Sequence, residues 1–267
     1  MAKIDSAFFD IGYLDTLSCS DSLIHRLDPR IKLLTTMVFI VTVVSFDKYE
    51  IAALIPFFIF PFIIISMANL PVTYLMKKLL IVSPFAIMIG IFNPFIDSEP
   101  MVQLAQISIS GGWISFLSIM LRFCLTVIAG LVLISSTGFL SICLAAERLG
   151  VPRIFTNQML FMYRYIFVLI DEAARMVRAR SLRSFNGNGM GLKIYGYLIS
   201  HLLLRTLDRA QRIHHAMLCR GFDGEIRIIK QLKIGVNEIL FIFLFSSLFV
   251  AMRLFNIPHF VGKFITG

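Results

Sequence analysis

Five long runs of apolar residues constrain this chain more than any other feature. They extend over Ile31–Phe46, Ile51–Ala68, Leu79–Ile96, Phe116–Thr137 and Ile234–Met252. Apolar residues fill these runs instead of recurring at the 3.6-residue period of a soluble helix. A helix of about 20 residues, at about 1.5 Å per residue, crosses the roughly 30 Å hydrocarbon core of a bilayer. The runs therefore predict an all-α, polytopic membrane protein with about five transmembrane helices.

The composition and the start of the first run agree with this class. Of the 267 residues, 58% are hydrophobic and 15% are charged, whereas about a quarter of the residues in a soluble domain are charged. Asp28-Pro29 precedes the first run and is typical of a helix start, because Asp caps and Pro occupies the first turn. The first 30 residues are polar and lack the apolar core of a signal peptide, so we expect the first helix to drive insertion.

The positive charges predict the topology. Lys and Arg number four in residues 1–32 (Lys3, Arg26, Arg30 and Lys32), two in the 69–78 loop (Lys77 and Lys78) and fifteen in residues 138–233, whereas the opposite segments hold only Lys48 and Lys263. Positive residues accumulate on the cytoplasmic side of a membrane. We therefore expect the N-terminus inside and the C-terminus outside, and the net charge of +9 indicates topology instead of nucleic-acid binding.

Four domains follow from the runs and the charges. We predict a cytoplasmic tail (1–28), transmembrane helices 1–4 (29–137), a cytoplasmic domain with two long amphipathic helices (138–233), and helix 5 with a short outer tail (234–267). The cytoplasmic domain should hold a short helix, Leu140–Leu149, and the two long helices, Ile154–Ser184 and Leu192–Cys219. A Gly/Asn-rich turn at 186–191 separates the long helices.

Each long helix carries an apolar stripe and a basic face. The stripes consist of Ile166, Leu169, Ala173 and Met176 in the first helix, and of Leu203, Leu207, Ala210, His214 and Met217 in the second. The basic faces carry Arg175 and Arg178, and Arg205, Arg209 and Arg212. We expect the stripes to pack on a partner helix, the basic faces to be solvated, and Asp171–Arg175 and Asp208–Arg212 to pair at i, i+4.

Both long helices end in an arginine between small residues. The two motifs are Ala179-Arg180-Ser181 and Cys219-Arg220-Gly221, 40 residues apart. A single arginine near a helix C-terminus commonly stabilises the helix dipole, and this structural role remains an alternative. Two copies on paired helices favour binding, because small neighbours leave the guanidinium unobstructed and its planar fork can hold a carboxylate through two bonds. These six residues are the candidate site.

The sequence resembles a known family at these residues: the transmembrane (T) components of energy-coupling factor (ECF) transporters. The resemblance rests on the Asp-Pro-Arg-Ile-Lys sequence at 28–32, the two Ala-Arg-Gly-type motifs and the five-run layout. Ser181 and Cys219 depart from Ala-Arg-Gly but remain small. The 5–32 lead and the Gly-Phe-Asp-Gly sequence at 221–224 look most like the cobalt or nickel (CbiQ-type) subgroup.

The resemblance implies a division of labour between subunits. The two arginine-tipped coupling helices would dock on two ATP-binding subunits, and a separate membrane subunit would capture the substrate. The protein would then be a multi-pass protein of the bacterial inner membrane with its coupling domain in the cytoplasm. The alternatives are a T component shared among vitamin importers and a conventional permease subunit that itself forms the substrate path.

We expect neither catalysis nor a cofactor from this chain. It contains no G-x-x-x-x-G-K-[ST] phosphate-binding loop, so ATP hydrolysis would belong to a partner. An intramembrane enzyme is a further alternative, but the runs place no His or carboxylate at depth that could activate their serines.

No metal site is predicted either. His214 and His215 are adjacent on a helix and point about 100° apart. Cys19, Cys124, Cys143 and Cys219 form no C-x-x-C pair. Arg122 lies inside the fourth run, where a charge costs about 3 kcal/mol, so we expect it to snorkel outward or to pair. Glu238 should lie at the inner interface.

Overall fold

The chain forms two compact units. The computed structural model describes residues 13–96, 100–104, 107–183, 191–224, 226 and 235–254. The first unit comprises Met1–Ala145 and Leu232–Gly267, and the second comprises Ala146–Gln231. The predicted all-α class is confirmed, with one short β-hairpin in addition.

The first unit contains most of the elements. Residues 13–18 are helical. They are followed by α1 (Leu23–Arg26), α2 (Pro29–Val44), α3 (Ile51–Leu54), a 3₁₀ turn (Ile55–Phe58), α4 (Ile59–Met67), α5 (Val72–Gly90), α6 (Asn93–Ile96), β1 (Pro100–Leu104), β2 (Ile107–Ser110), α7 (Gly111–Thr137) and the start of α8 (Phe139–Arg148). The second unit holds the end of α8, then α9 (Arg153–Arg183) and α10 (Leu192–Cys219), and α11 (Val236–Leu254) belongs to the first unit.

Two helices meet the length and apolarity needed to cross a bilayer within the part of the chain that the structure describes. They are α5, with 19 residues, and α7, with 27. The stretch Ile51–Met67 is apolar but shorter, and its helix is interrupted at the 3₁₀ turn that contains Pro56. Proline lacks an amide donor, so it favours such a tightened turn within a helical stretch. The five-span count stays a prediction.

The N-terminal end of α5 differs from the sequence expectation. This helix begins at Val72 instead of Leu79, so Lys77 and Lys78 lie within it and not in a 69–78 loop. The amide of Tyr74 donates to the carbonyl of Pro71 at 3.0 Å, which starts the helix. Leu75 is buried. Hydropathy locates the apolar part of a helix, whereas these first turns are stabilised by packing on the protein.

Residues 100–104 and 107–115, between the third and fourth apolar runs, form regular secondary structure. They contain the antiparallel pair β1–β2, and α7 begins at Gly111 instead of Phe116. Ile107-Ser108-Ile109-Ser110 alternates with the period of a strand, but four residues between two apolar runs are too few to distinguish a strand from a loop.

Asp28, at the start of α2, does what its sequence predicts. Its carboxylate accepts a hydrogen bond from the amide of Arg30 at 2.9 Å, and Pro29 occupies the first turn. This bond satisfies one of the amides that have no partner inside a helix. Glu238 similarly accepts from the amide of Gly235 at 2.9 Å, so it caps α11.

A cluster of phenylalanines forms the centre of the first unit. Phe249 of α11 lies 5.3 Å from the ring of Phe39 in α2 and 5.0 Å from that of Phe60 in α4, between ring centroids. Phe57 of the 3₁₀ turn and Phe245 complete the cluster. Rings at these separations add directional attraction to their burial. The cluster therefore holds α2, α4 and α11 together.

Two arginines donate to backbone carbonyls at the C-terminal end of α2, the end opposite Asp28. Arg253 of α11 donates to the carbonyl of Ser45 at 3.1 Å, and its guanidinium lies 4.4 Å from the ring centre of Phe46. Arg122 of α7 donates to the carbonyl of Asp47. Of the two expectations for Arg122, the structure therefore shows pairing, with a backbone carbonyl 75 residues away in sequence.

The aromatic cluster gives a stability prediction. Phe249→Ala should lower the free energy of unfolding by about 3–5 kcal/mol, because it removes a buried ring from a packed core. Phe243→Ala, on the same helix but 75% exposed, should cost less than about 1 kcal/mol. Thermal unfolding of the detergent-solubilised protein measures both, and equal losses would show that the cluster is not the core.

Candidate functional site

The two long helices of the second unit run antiparallel. Near the start of α9, Asn157 donates from Nδ2 to the carbonyl of Gly224, which follows α10, at 2.7 Å. In the middle of both helices, Arg205 donates to Glu172 at 2.6 Å. From the first contact to the second, the residue number rises along α9 (Asn157 to Glu172) and falls along α10 (Gly224 to Arg205). The two helices therefore run in opposite directions.

This arrangement places the two arginine motifs at opposite ends of the helix pair. Arg220 lies four residues before Gly224 and therefore belongs to the end near Asn157. Arg180 lies 23 residues after Asn157 on α9, which corresponds to roughly 35 Å of helix at about 1.5 Å per residue. The sequence placed a motif on each helix but did not indicate this separation.

The glycine that follows Arg220 ends α10 and so places Arg220 at the end of the helix. The amide of Gly221 donates to the carbonyl of Leu218, and that of Phe222 to the carbonyl of Met217, both at 3.0 Å. Gly221 adopts φ +76°, a conformation that other L-residues adopt at a cost. This is the Schellman arrangement of a helix C-terminus. Arg220 is the C-cap, and the chain turns away directly after it.

Arg180 has a different local setting. It lies within α9, which continues to Arg183, and Ser181 donates from its hydroxyl to the carbonyl of Arg178 at 2.8 Å. Residue 184 and most of the turn at 186–191 lie outside the described residues. Arg180 therefore presents its guanidinium from within a helix, whereas Arg220 presents the same group from a helix C-cap.

The candidate residues are accessible. Ala179, Arg180, Cys219, Arg220 and Gly221 are exposed, and Ser181 is half-buried. Over the described ranges, neither arginine forms an ion pair or a side-chain hydrogen bond with an acidic residue of this chain. Their guanidinium groups therefore remain available to a partner.

The faces of α10 differ in part from the sequence expectation. Leu203 and Leu207 of the apolar stripe are 57% and 53% exposed, whereas Arg205 of the basic face pairs with Glu172 of α9. Periodicity shows which face of a helix is apolar but not what that face meets. The ion pair joins Arg205 to α9 from the edge of the contact, since its side chain stays 63% exposed. Leu203 and Leu207 remain on the surface, whereas Met217 of the same stripe is half-buried.

A groove lies between the two helices on this basic face. Its volume is about 680 Å³. The lining residues are Leu169, Glu172, Arg205, Thr206, Asp208, Arg209, Arg212, Ile213 and Ala216. Arg209 and Arg212 line this groove together with apolar side chains, and both are exposed, as expected.

Glu172 connects the two helices through two arginines. Arg175 donates to one carboxylate oxygen at 2.8 Å and Arg205 to the other at 2.6 Å. The hydrogen bonds from Arg175 and then Arg205 lower the pKa of Glu172. The expected partner of Arg175 was Asp171, and the expected Asp208–Arg212 pair is likewise not among the ion pairs of the described residues. Both expectations were wrong, and Arg175 pairs instead with Glu172, which also binds Arg205 of α10.

The adjacent histidines face in different directions. The rings of His214 and His215 are 6.1 Å apart with a 51° angle between their planes, and both side chains are exposed. Within the ranges that the structure describes, no three His, Cys, Asp or Glu side chains are arranged to hold a metal ion.

The apolar helices of the first unit define a helical membrane protein, and comparison with known proteins identifies its family. A family model described as "Cobalt transport protein" (CbiQ) matches residues 20–232. The chain belongs to this cobalt transport family of membrane proteins.

Similar proteins carry transport names or no functional name. An uncharacterised protein of Methanocaldococcus jannaschii is 29% identical over 86% of this chain and 81% of its own length. The cobalt transport protein CbiQ of Salmonella typhimurium is 27% identical over 50% of this chain and 63% of its own. The energy-coupling factor transporter transmembrane protein EcfT of Bacillus subtilis is 25% identical over 76% and 82%.

The Glu172 bridge gives a pH prediction. Because its pKa is lower in the folded state, Glu172 stabilises the helix pair above the ordinary Glu pKa, about 4.3, and this contribution is lost as the pH falls through the folded-state value. Unfolding of the second unit, followed by hydrogen exchange of the α9 and α10 amides, should therefore become easier in acid. Glu172→Gln should weaken the pair at pH 7 and flatten this acid dependence.

Asp171→Asn is the matched control, because Asp171 is the neighbouring carboxylate and lies outside the ion pairs described. It should leave both the exchange rates at pH 7 and their acid dependence unchanged. An acid dependence in Glu172→Gln equal to that of the wild type would show that Glu172 does not hold the helices together.

Proposed function

We propose that this chain is the T component of an ECF-type ABC importer for cobalt or nickel. It transmits the ATP-driven motion of two ATP-binding subunits to a membrane subunit that captures the substrate. The observation that carries the proposal is the pair of exposed arginines, Arg180 and Arg220, at opposite ends of one antiparallel helix pair. Membership of the cobalt transport family supports the substrate class.

Two equal partners explain the duplicated motif best. Arg180 and Arg220 are the same chemical group between small residues, at ends of the pair separated by roughly 30 Å or more of helix. A repeated group on one chain fits a repeated acceptor, such as one carboxylate-containing groove on each of two copies of an ATPase subunit. Ala179 and Gly221 leave room for each guanidinium to enter a groove and make paired bonds.

The exposed apolar stripe of α10 fits a membrane partner. Leu203 and Leu207 are joined on the surface by Leu204, which is 60% exposed. Contiguous exposed apolar surface of this kind marks interaction sites. We assign it to the substrate-capture subunit, in a multi-pass inner-membrane protein whose residues 138–233 form a cytoplasmic coupling domain. The chain itself would be a non-catalytic subunit.

A T component shared among several vitamin-capture subunits is the second candidate. It is favoured by the similarity to an EcfT protein over 76% of this chain. Co-purification distinguishes the two, because a dedicated subunit should bring down one capture protein, whereas a shared subunit should bring down several.

Substitution of the motif arginines tests the coupling role. If each guanidinium is buried against an acceptor in the complex, truncation to Ala leaves that acceptor desolvated and unpaired, at about 2–5 kcal/mol per site. This corresponds to a roughly 30- to 5,000-fold weaker association with the ATPases. Arg→Lys should restore only a part, because a point charge cannot make the paired bonds. The double mutant should insert normally but lose uptake.

The controls come from the same helices. Arg178 and Arg212 are exposed, and Arg178→Ala and Arg212→Ala should each cost about 0–1 kcal/mol. Arg205 is unsuitable, because it bonds to Glu172. The measurements are co-purification of the ATPases and metal uptake in cells. Normal assembly and uptake in the Arg180→Ala, Arg220→Ala double mutant would show that both arginines only stabilise their helix ends.

A further inference from the structure

A single residue, Gly138, joins α7 to α8. Its amide donates to the carbonyl of Ile134 at 2.9 Å and so ends α7, while its carbonyl accepts from the amide of Ile142 at 3.1 Å and so starts α8. Gly138 has φ +77°, a conformation that favours glycine. The direction in which α8 leaves α7 is therefore set at one backbone position.

The N-terminal segment packs tightly against this joint. A Cβ atom at Gly138 would lie 2.7 Å from the hydroxyl of Ser18 and 3.1 Å from Oδ1 of Asp15. Ser135 and Ser136, the residues just before the joint, are 0% and 3% exposed. A side chain at position 138 would strain the backbone and would clash with Ser18 and Asp15. The angle between α7 and α8 therefore has little room to change.

Lys32 of α2 holds the last turn of α7. Its side chain is buried, with the residue 5% exposed, and its ammonium donates from Nζ to the carbonyl of Ser136 at 2.9 Å. The last four carbonyls of a helix lack partners inside it, and the C-terminal end of the helix dipole favours a cation. The bond joins residues 104 positions apart, so it ties α2 to α7 directly.

Lys32 also influences a second titratable group near the joint, His25. Burial, followed by the charge of Lys32, lowers the pKa of His25, which contacts the hydroxyl of Ser22 at 2.7 Å. Asp28 lies one helical turn before Lys32 and is only 4% exposed. Its carboxylate already forms an ion pair with Arg30, whose Nε lies 3.8 Å from Oδ1.

The joint lies on the covalent path between the two units. Helix α8 begins at Phe139, directly after Gly138, and the boundary of the units falls within it, between Ala145 and Ala146. A helix is stiff over ten residues. Any displacement of the second unit that travels along the chain at this boundary must therefore reach α7 through Gly138 and its neighbours.

We propose that Lys32 and Gly138 form the joint through which motion of the second unit is passed to α2 and α7. Gly138 sets the direction of α8, and Lys32 holds the end of α7 on α2, so a push along α8 moves α2 and α7 together instead of bending the chain between them. Lys32 is a positioning residue in this role. The inference rests on the proposed function, since it names the residues through which coupling occurs.

The test separates transport from ATP hydrolysis. Complexes of this chain with its ATPases and capture subunit are reconstituted in lipid vesicles, and uptake of cobalt(II) and release of phosphate are measured in the same preparation. Lys32→Met should assemble and hydrolyse ATP, but its uptake per ATP should fall about 5-fold or more, the range of ordinary coupling energies. Lys32→Arg should restore a part, because it keeps a donor for the Ser136 carbonyl.

Gly138→Ala is the second variant and carries the test if Lys32→Met fails to insert. It should show the same loss of uptake per ATP. The matched controls are Lys77→Met, an exposed lysine of α5, and Gly130→Ala, a glycine of α7 whose added Cβ would meet no atom within 4 Å. Both should couple as the wild type does.

The outcomes separate this inference from the proposed function. A coupled wild-type complex together with unchanged uptake per ATP in Lys32→Met and Gly138→Ala would overturn the joint alone. Parallel losses of hydrolysis and uptake would also overturn it, because they indicate a purely structural role. A wild-type chain that does not bind the ATPases would overturn the proposed function and the joint with it.

Discussion

Backbone carbonyls at the C-terminal ends of helices determine how the first unit is held together. Such carbonyls lack partners within their own helix, and in apolar surroundings each must find a donor. Here the donors are cations from other helices: Lys32 bonds to Ser136 at the end of α7, and Arg253 bonds to Ser45 at the end of α2. Each bond fixes one helix end on another. The aromatic cluster fills the space between the ends fixed in this way.

The second unit follows the same principle with different groups. Gly221 satisfies the last carbonyls of α10 through a reversed turn, and Asn157 bonds to the carbonyl of Gly224 beyond it. Glu172 then holds the middle of the pair through arginines from both helices. These contacts make the pair antiparallel, and this direction separates the two motif arginines. The function that we propose depends on that separation, because two partners must be reached at once.

Local features were predictable from the sequence, and distant contacts were not. Asp28-Pro29 gave the start of α2, and the helix Leu192–Cys219 has the predicted bounds, because capping and periodicity act within a few residues. The partner of Arg122 could not be found, since it is a carbonyl 75 positions away. The packing face of α10 was assigned wrongly in part, because hydropathy does not register an ion pair between residues 33 positions apart. The motif arginines were found from a sequence pattern repeated at two helix ends, but their separation required the tertiary structure.

The distance between the two arginine motifs tests the account most directly. Spin labels on the native Cys219 and on a cysteine at Ala179, with Cys19, Cys124 and Cys143 replaced by alanine, flank Arg220 and Arg180 without altering either. Pulsed dipolar spectroscopy of the membrane-embedded protein should give a distance of about 30 Å, as expected from some 20 residues of helix at about 1.5 Å each. A distance below about 15 Å would place both arginines at one end of the pair, and the two-partner coupling mechanism would then be contradicted.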